Sequence, residues 1–133
     1  MPFKNKEYRK IYVREWYRKN VKGNTQFLKN MSLMSKYKIK LETYNKMFEE
    51  QKGKCAICGI HQSELKISLS VDHDHSCCNG EKSCGKCIRG LLCQKCNAAI
   101  GMLDESIELL TKVKFYLEKY SIIKNVNICI TKS

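Results

Sequence analysis

Two stretches decide the reading of this chain: Val71-Asp72-His73-Asp74-His75, and Arg89-Gly90-Leu91-Leu92-Cys93-Gln94-Lys95-Cys96-Asn97. Along the approach to the first, Ile67, Leu69 and Val71 alternate with polar residues, the two-residue period of a strand buried on one face. Ile88 to Leu92 reads as its partner strand, and a short helix is expected after Cys96. The segment between the strands is rich in Asn, Gly, Ser and Cys, so the pair reads as an antiparallel hairpin with a long metal-binding or disordered tip. Strand, strand and helix in that order, flanked by helical stretches, make the chain α+β.

Upstream, Cys55-Ala56-Ile57-Cys58 matches the Cys93 to Cys96 knuckle across the 34 residues from Gly59 to Leu92. Two residues between thiolates let one tight turn aim both sulfurs at a single ion, and two such turns complete a tetrahedron with bonds of about 2.3 Å. A four-thiolate zinc site has no open position, so Cys55, Cys58, Cys93 and Cys96 would hold the fold rather than do chemistry. The plainer alternative is four buried small side chains. Cys77, Cys78, Cys84 and Cys87 crowd the hairpin tip, with Cys84-Gly85-Lys86-Cys87 as a further knuckle. They read either as a second zinc site or as a solvated loop of free thiols. Cys129 stands alone and reads as an inert thiol, while His61 carries no functional claim.

The chain has 133 residues, one proline, nine cysteines and a formal charge of +12. An odd number of cysteines cannot pair completely, and no apolar run approaches the roughly 18 residues of a membrane span, so metal ligation and an intracellular, cytoplasmic setting are expected, with no membrane partner. Charges in the first ten residues leave no room there for the apolar stretch of a secretory signal. A charge this positive points to a polyanion. It is concentrated in Met1 to Lys40, where 12 Lys and Arg face two Glu, leaving 13 basic against 11 acidic residues in the remainder. The chain therefore divides into a basic helical arm at 1–36, a zinc-bearing domain at 37–120 and a tail at 121–133.

Within the arm, Tyr8, Tyr12 and Trp16 recur every fourth residue of a predicted helix from Lys6 to Asn20, with Lys6, Arg9, Lys10, Arg14, Arg18 and Lys19 over the rest of its surface as candidate nucleic-acid contacts. The aromatic stripe alone is equally consistent with a helix packed on the domain core. A second helix, from Thr25 to about Lys36, places Phe27 or Leu28, Met31 and Met34 on one face. The third, Leu41 to Gln51, carries Leu41, Tyr44, Met47 and Phe48, with Gly53 suited to the left-handed residue beyond its end. A last helix starts at Asp104 as N-cap and runs Ile107, Leu110, Val113 or Lys114, Leu117 and Tyr120 down one side.

Asp72 and His73 end the first strand and Asn97 directly follows the last zinc cysteine, so hairpin and knuckle bring the three together. Phosphodiester hydrolysis needs a base for water and a cation to neutralise the phosphorane and the leaving oxygen. Imidazole titrates near neutral pH, which suits His73 as the base. Asp72 and Asn97 offer one charged and one neutral oxygen to a hard cation such as Mg²⁺.

Together the Lys54-Cys55-Ala56-Ile57-Cys58 knuckle, the Val71 to His75 strand end and the Arg89 to Asn97 stretch resemble the recombination endonuclease VII family within the HNH, or ββα-metal, nucleases, over about Tyr37 to Tyr120. The resemblance implies a Mg²⁺-dependent endodeoxyribonuclease, a hydrolase leaving 5′ phosphate and 3′ hydroxyl ends. In it, Cys55, Cys58, Cys93 and Cys96 hold structural zinc, His73 is the general base, and Asp72 and Asn97 bind the catalytic cation. His75 matches the family's second histidine and would contact phosphate or orient the site. DNA is the implied partner; cutting branched DNA at paired strands would call for a homodimer. Two departures stand out: Lys40 occupies a position where relatives often carry a helix-capping threonine, and Ala98 to Met102 holds no carboxylate where some relatives add one. Two other readings compete: a phage or mobile-element endonuclease directed to sites on duplex DNA, and a zinc protein that binds DNA without cutting it.

Overall fold

The structure, a computed structural model, describes residues 6–130, and for residue 20 and residues 122–130 the backbone alone. In chain order the elements are α1 (Lys6–Asn20), α2 (Thr25–Tyr37), α3 (Leu41–Glu50), a 3-10 turn (Gln62–Glu64), β1 (Ser70–His73), β2 (Ile88–Leu92), α4 (Gln94–Met102) and α5 (Ile107–Ile130). Among the described residues the fold is α+β, with five helices and one two-stranded antiparallel sheet. β1 is shorter than the alternation suggested, because Ile67 is exposed while Leu69 and Val71 are buried. Helix α5 runs on through most of the expected tail, and the side chain of Cys129 lies outside the described ones.

The core is small and built where the hairpin meets α2, α3 and α4. Leu33, Ile39, Tyr44, Leu69, Val71, Leu91 and Leu92 are buried there together with Cys55, Cys93 and Cys96. Tyr44 donates its hydroxyl to the Leu69 carbonyl at 2.7 Å, so a large ring enters the core with its polar end satisfied. Gln51, just past α3, extends the sheet: its amide nitrogen donates to the Leu91 carbonyl at 2.9 Å and its amide oxygen accepts from the Leu91 N–H at 2.9 Å. The chain then turns at Gly53, whose φ is +68° and where a Cβ would lie 2.8 Å from His61 Nε2, too close to fit.

Lys40, at the cap position of α3, makes no side-chain cap. The Leu41 N–H is instead taken by Asn30 Oδ1 at 2.8 Å, eleven residues upstream in α2. A neighbouring helix thus fills the gap left by the missing threonine. Two expected apolar faces are corrected. In α2 it is Leu33 that is buried, with half-buried Tyr37 one turn on, whereas Met31 and Met34 are 53% and 40% exposed. Asn30, Leu33 and Tyr37 lie at three- and four-residue spacing, so the Asn30 cap and the Leu33 anchor fix the same face inward. In α5 the predicted start at Asp104 moves to Ser106, whose Oγ accepts from Leu109 N at 3.2 Å. Its stripe is open to solvent, Ile107 at 80% and Leu117 at 58%. The α1 aromatics are at least 46% exposed, so that stripe does not pack into the core, although Trp16 meets Phe27 edge-on at 6.4 Å between ring centres.

These faces separate in a denaturation experiment. Leu33→Ala should lower the unfolding free energy by about 2–5 kcal/mol, and Met31→Ala by no more than about 0.5 kcal/mol, in urea titrations at fixed zinc. Equal losses would contradict the orientation of α2.

Candidate active site and metal centres

Cys93 sits between β2 and α4 and is the N-cap of that helix, its sulfur accepting from the Cys96 N–H at 3.5 Å. Cys55 and Cys58 belong to a turn closed by the Gly59 N–H to the Cys55 carbonyl at 3.0 Å and fixed to β2 by the Ala56 N–H to the Leu91 carbonyl at 3.1 Å. The four sulfurs all lie within 4.8 Å of one another, with Cys58 to Cys93 at 3.7 Å. A tetrahedron with bonds of about 2.3 Å has edges of about 3.8 Å, close to the Cys58 to Cys93 separation, so the donor set suits a zinc ion. Burial opposes ionisation of Cys55, but hydrogen bonds from the backbone of Cys93, Cys58 and Ile57 bring its thiol down to about 6. Burial and its sulfur neighbours push Cys96 up to about 12. Thiols crowded this way share charge unequally, and a divalent cation would ionise all four.

A second tetrad, Cys77, Cys78, Cys84 and Cys87, forms in the hairpin loop, its sulfurs again all within 4.8 Å. Cys77 is 3.9 Å from both Cys78 and Cys84, and Cys84 is 3.9 Å from Cys87. Adjacency of Cys77 and Cys78 therefore does not prevent both sulfurs from reaching one point. Either tetrad could hold zinc.

The candidate catalytic residues converge. Asp72, His73, His75 and Asn97 line one cleft of about 300 Å³, with Lys36, Tyr37, Gly80 and Glu81 on its other walls. The pairing shifts between Asp72, opposite Gly90, and His73, opposite Ile88, which leaves Arg89 as an extra residue on β2. Such a bulge re-aims the side chain it carries. Arg89 meets both Asp72 oxygens, Nε to Oδ2 at 2.7 Å and Nη2 to Oδ1 at 2.9 Å, and sends Nη1 to Glu105 Oε2 at 2.9 Å. Glu105 also binds His75 Nδ1 through its other oxygen. His73 is buried, and its Nε2 lies 3.1 Å from the Cys78 carbonyl oxygen. A carbonyl only accepts, so Nε2 carries the proton and Nδ1 of the neutral ring is left as the basic nitrogen. The His73 and His75 rings are 4.5 Å apart, with Tyr37 at 6.1 Å from His73.

Arg89 and Glu105 are the site residues that the sequence did not single out. Arg89 stood inside a quoted motif without a role. Glu105, from beyond the end of α4, brings a carboxylate to His75 and Arg89 where Ala98 to Met102 holds none. Asp104 and Glu105 both take positive φ, 52° and 53°, and the Glu105 N–H returns to the Ile100 carbonyl at 3.0 Å. Each left-handed non-glycine residue costs about 1–3 kcal/mol, a strain that the turn holds beside the cleft. Hydrogen bonding to Arg89, then to His75, keeps the Glu105 carboxyl below its ordinary value against the opposing effect of burial. Asp72, followed by Glu105, raises Arg89 above an already high value. Ser76, through its hydroxyl and its N–H, keeps Asp74 low and turned away into its own Asx turn.

Lys6, Arg9, Lys10, Arg14, Arg18 and Lys19 are all exposed on α1. Lys6, Arg9, Lys10 and Arg14 border a shallow groove floored by Val13 and Tyr17. No helix among the described residues is long and apolar enough to cross a membrane.

Comparison with known proteins agrees with this geometry. The family described as recombination endonuclease VII matches residues 30–119, which takes in both tetrads and every residue of the cleft named above. Among curated proteins, the Gene 59 protein of Mycobacterium phage D29 is 38% identical over 88 residues, covering 65% of this chain and 48% of that protein. The Gene 59 protein of Mycobacterium phage L5 is 34% identical over 86 residues, 64% of this chain and 47% of that one. The chain thus spans about half the length of these relatives. No solved structure is a significant match. With two thirds of its length under the family match, and the cleft and both tetrads inside it, the chain belongs to the recombination endonuclease VII family.

Proposed function

We propose that the chain is a divalent-cation-dependent DNA endonuclease of the HNH, ββα-metal type, with His73 as general base. The observation that carries the reading is the hydrogen bond from His73 Nε2 to the Cys78 carbonyl. It fixes the tautomer in which Nδ1 can accept a proton, in a cleft shared with Asp72 and Asn97. His73 Nδ1 takes a proton from water; the water oxygen attacks phosphorus in line, the bond to the 3′ oxygen breaks, and that oxygen is protonated from solvent. Products are a 3′ hydroxyl and a 5′ phosphate. Mg²⁺ held by Asp72 and Asn97 would neutralise charge on the phosphate and the leaving oxygen. Asp72 retains capacity for this, because an ionised carboxylate has about four acceptor positions and Arg89 uses one on each oxygen. Glu105 orients His75, which is then aimed for a phosphate contact.

Family membership favours branched DNA over a fixed sequence as the substrate. Paired cuts would come from a second copy of the chain docked along α5. Its Leu109, Leu110, Val113, Phe115, Tyr116 and Leu117 are 37% to 64% exposed around the helix, more apolar surface than a single copy covers. The basic face of α1 would hold the duplex by counterion release. Phage-encoded relatives suit action in the cytoplasm of an infected cell.

His73→Ala should reduce Mg²⁺-dependent cleavage of four-way-junction DNA by about 10²–10⁴-fold, with zinc content and DNA affinity kept; undiminished cutting would refute the assignment. Mapped cuts confined to the branch point support the branched substrate, and cuts at one sequence in linear duplex overturn it. Cutting the arm off at Asn30 would also remove the Leu41 cap, so the arm is better tested by substitution. With Arg9, Lys10, Arg14, Arg18 and Lys19 all changed to Ala, the slope of log affinity against log salt should become shallower by up to about 4–5. An unchanged slope would mean that α1 does not touch DNA.

A further inference from the structure

The loop between β1 and β2, residues 74–87, has no regular secondary structure, yet it forms a wall of the cleft through Gly80 and Glu81. A loop this long inside a compact domain needs something to order it. At its base the Asp74 N–H meets the Cys87 carbonyl at 3.0 Å, and the Cys77 and Cys78 N–H groups return to the Asp74 carbonyl at 3.2 and 3.0 Å. Its far side rests on the end of α2, with the Ser83 N–H on the Lys36 carbonyl at 2.8 Å and Gly85 so close that a Cβ would lie 3.0 Å from the Lys38 carbonyl oxygen. Cys77 and Cys84 are exposed and Cys78 and Cys87 half-buried, so apolar burial supplies little of this order. What the loop does have at its centre is four sulfurs at tetrahedral spacing, with neighbouring pairs at 3.9 Å. One of the four residues, Cys78, carries the carbonyl that accepts from His73 Nε2.

We propose that Cys77, Cys78, Cys84 and Cys87 bind a second zinc ion, and that this ion positions His73 by fixing the Cys78 carbonyl on its Nε2. Four soft sulfurs in a closed tetrahedron take zinc with no open position, so the ion is structural, each ligating thiol passing its proton to solvent. Its effect on the cleft is indirect. It holds the loop, the loop holds one carbonyl, and the carbonyl selects which imidazole nitrogen is free, in the way outer partners orient a ligating histidine at a metal. The catalytic half of the proposal rests on His73 being the base; the metal half does not.

The test measures zinc in purified full-length protein, the tautomer of His73 by its imidazole ¹⁵N shifts, and kcat and KM on junction DNA with Mg²⁺. Wild type should hold two zinc ions per chain and show a single Nε2–H tautomer. Cys84→Ser with Cys87→Ser should hold one, keep a cooperative unfolding transition, show mixed tautomers and lose about ten- to a hundredfold in kcat, with KM little changed. Cys84→His, which keeps a nitrogen ligand for zinc, should restore both the second ion and the tautomer. One zinc per chain in wild type overturns the site. Two zinc ions, with tautomer and kcat unmoved in the double variant, overturn the positioning. Two ions and a shifting tautomer in a wild type that cuts no DNA would leave the proposed metal site and prop standing and refute the nuclease reading instead.

Discussion

Cys93 is the residue through which the rest of the structure is tied together. Its sulfur joins the first tetrad, the same sulfur caps the first turn of α4, and its carbonyl receives the Asn97 N–H at 3.0 Å. Strand β2 therefore cannot end, nor α4 begin, anywhere else without drawing one sulfur out of the tetrad. Three of the ten residues in the buried cluster are cysteines of this tetrad. In a core that small, zinc held by the tetrad would add to burial in setting the hairpin against the helix. Asp72 and His73 come from the strand and Asn97 from the helix, so the junction at Cys93 sets the distances among all three.

The remaining polar contacts hold what that junction has placed. Arg89 spans Asp72 and Glu105, Glu105 spans Arg89 and His75, and the Cys78 carbonyl stands behind His73. Asp72, His73 and His75 are thus each held by a hydrogen-bond partner of their own. Gln51 and Asn30 do comparable work for the frame, where an amide takes over hydrogen bonds that neither a sheet nor a cap supplies.

Spacing within a short stretch was legible in the sequence. The two knuckles, the hairpin and its end at Asp72 and His73, and the helix carrying Asn97 all follow from periods of two, three or four residues. What depended on distant parts of the chain was not. Nothing local marks Arg89 as the bulged residue, because a bulge is a mismatch between two strands. Nothing marks Glu105 either, since its reach depends on two consecutive left-handed residues after α4. Periodicity in α1, α2 and α5 showed that apolar faces exist but not what covers them, and in α2 it chose the methionines over Leu33 because it could not see the Asn30 cap. The six basic residues offered as nucleic-acid contacts lie exposed on one helix.

The charge of the cleft has a thermodynamic consequence. Asp72, Glu81 and Lys36 line the cleft, and the Arg89–Glu105 pair stands against Asp72 and His75 at its edge. Among these groups carboxylates outnumber cations by one, and a divalent cation bound there would reverse that local charge. Cation and nucleic acid would therefore bind with positive linkage, each raising the affinity for the other by the same factor. Occupancy by either alone is disfavoured, and the assembled site becomes a coincidence detector for the two.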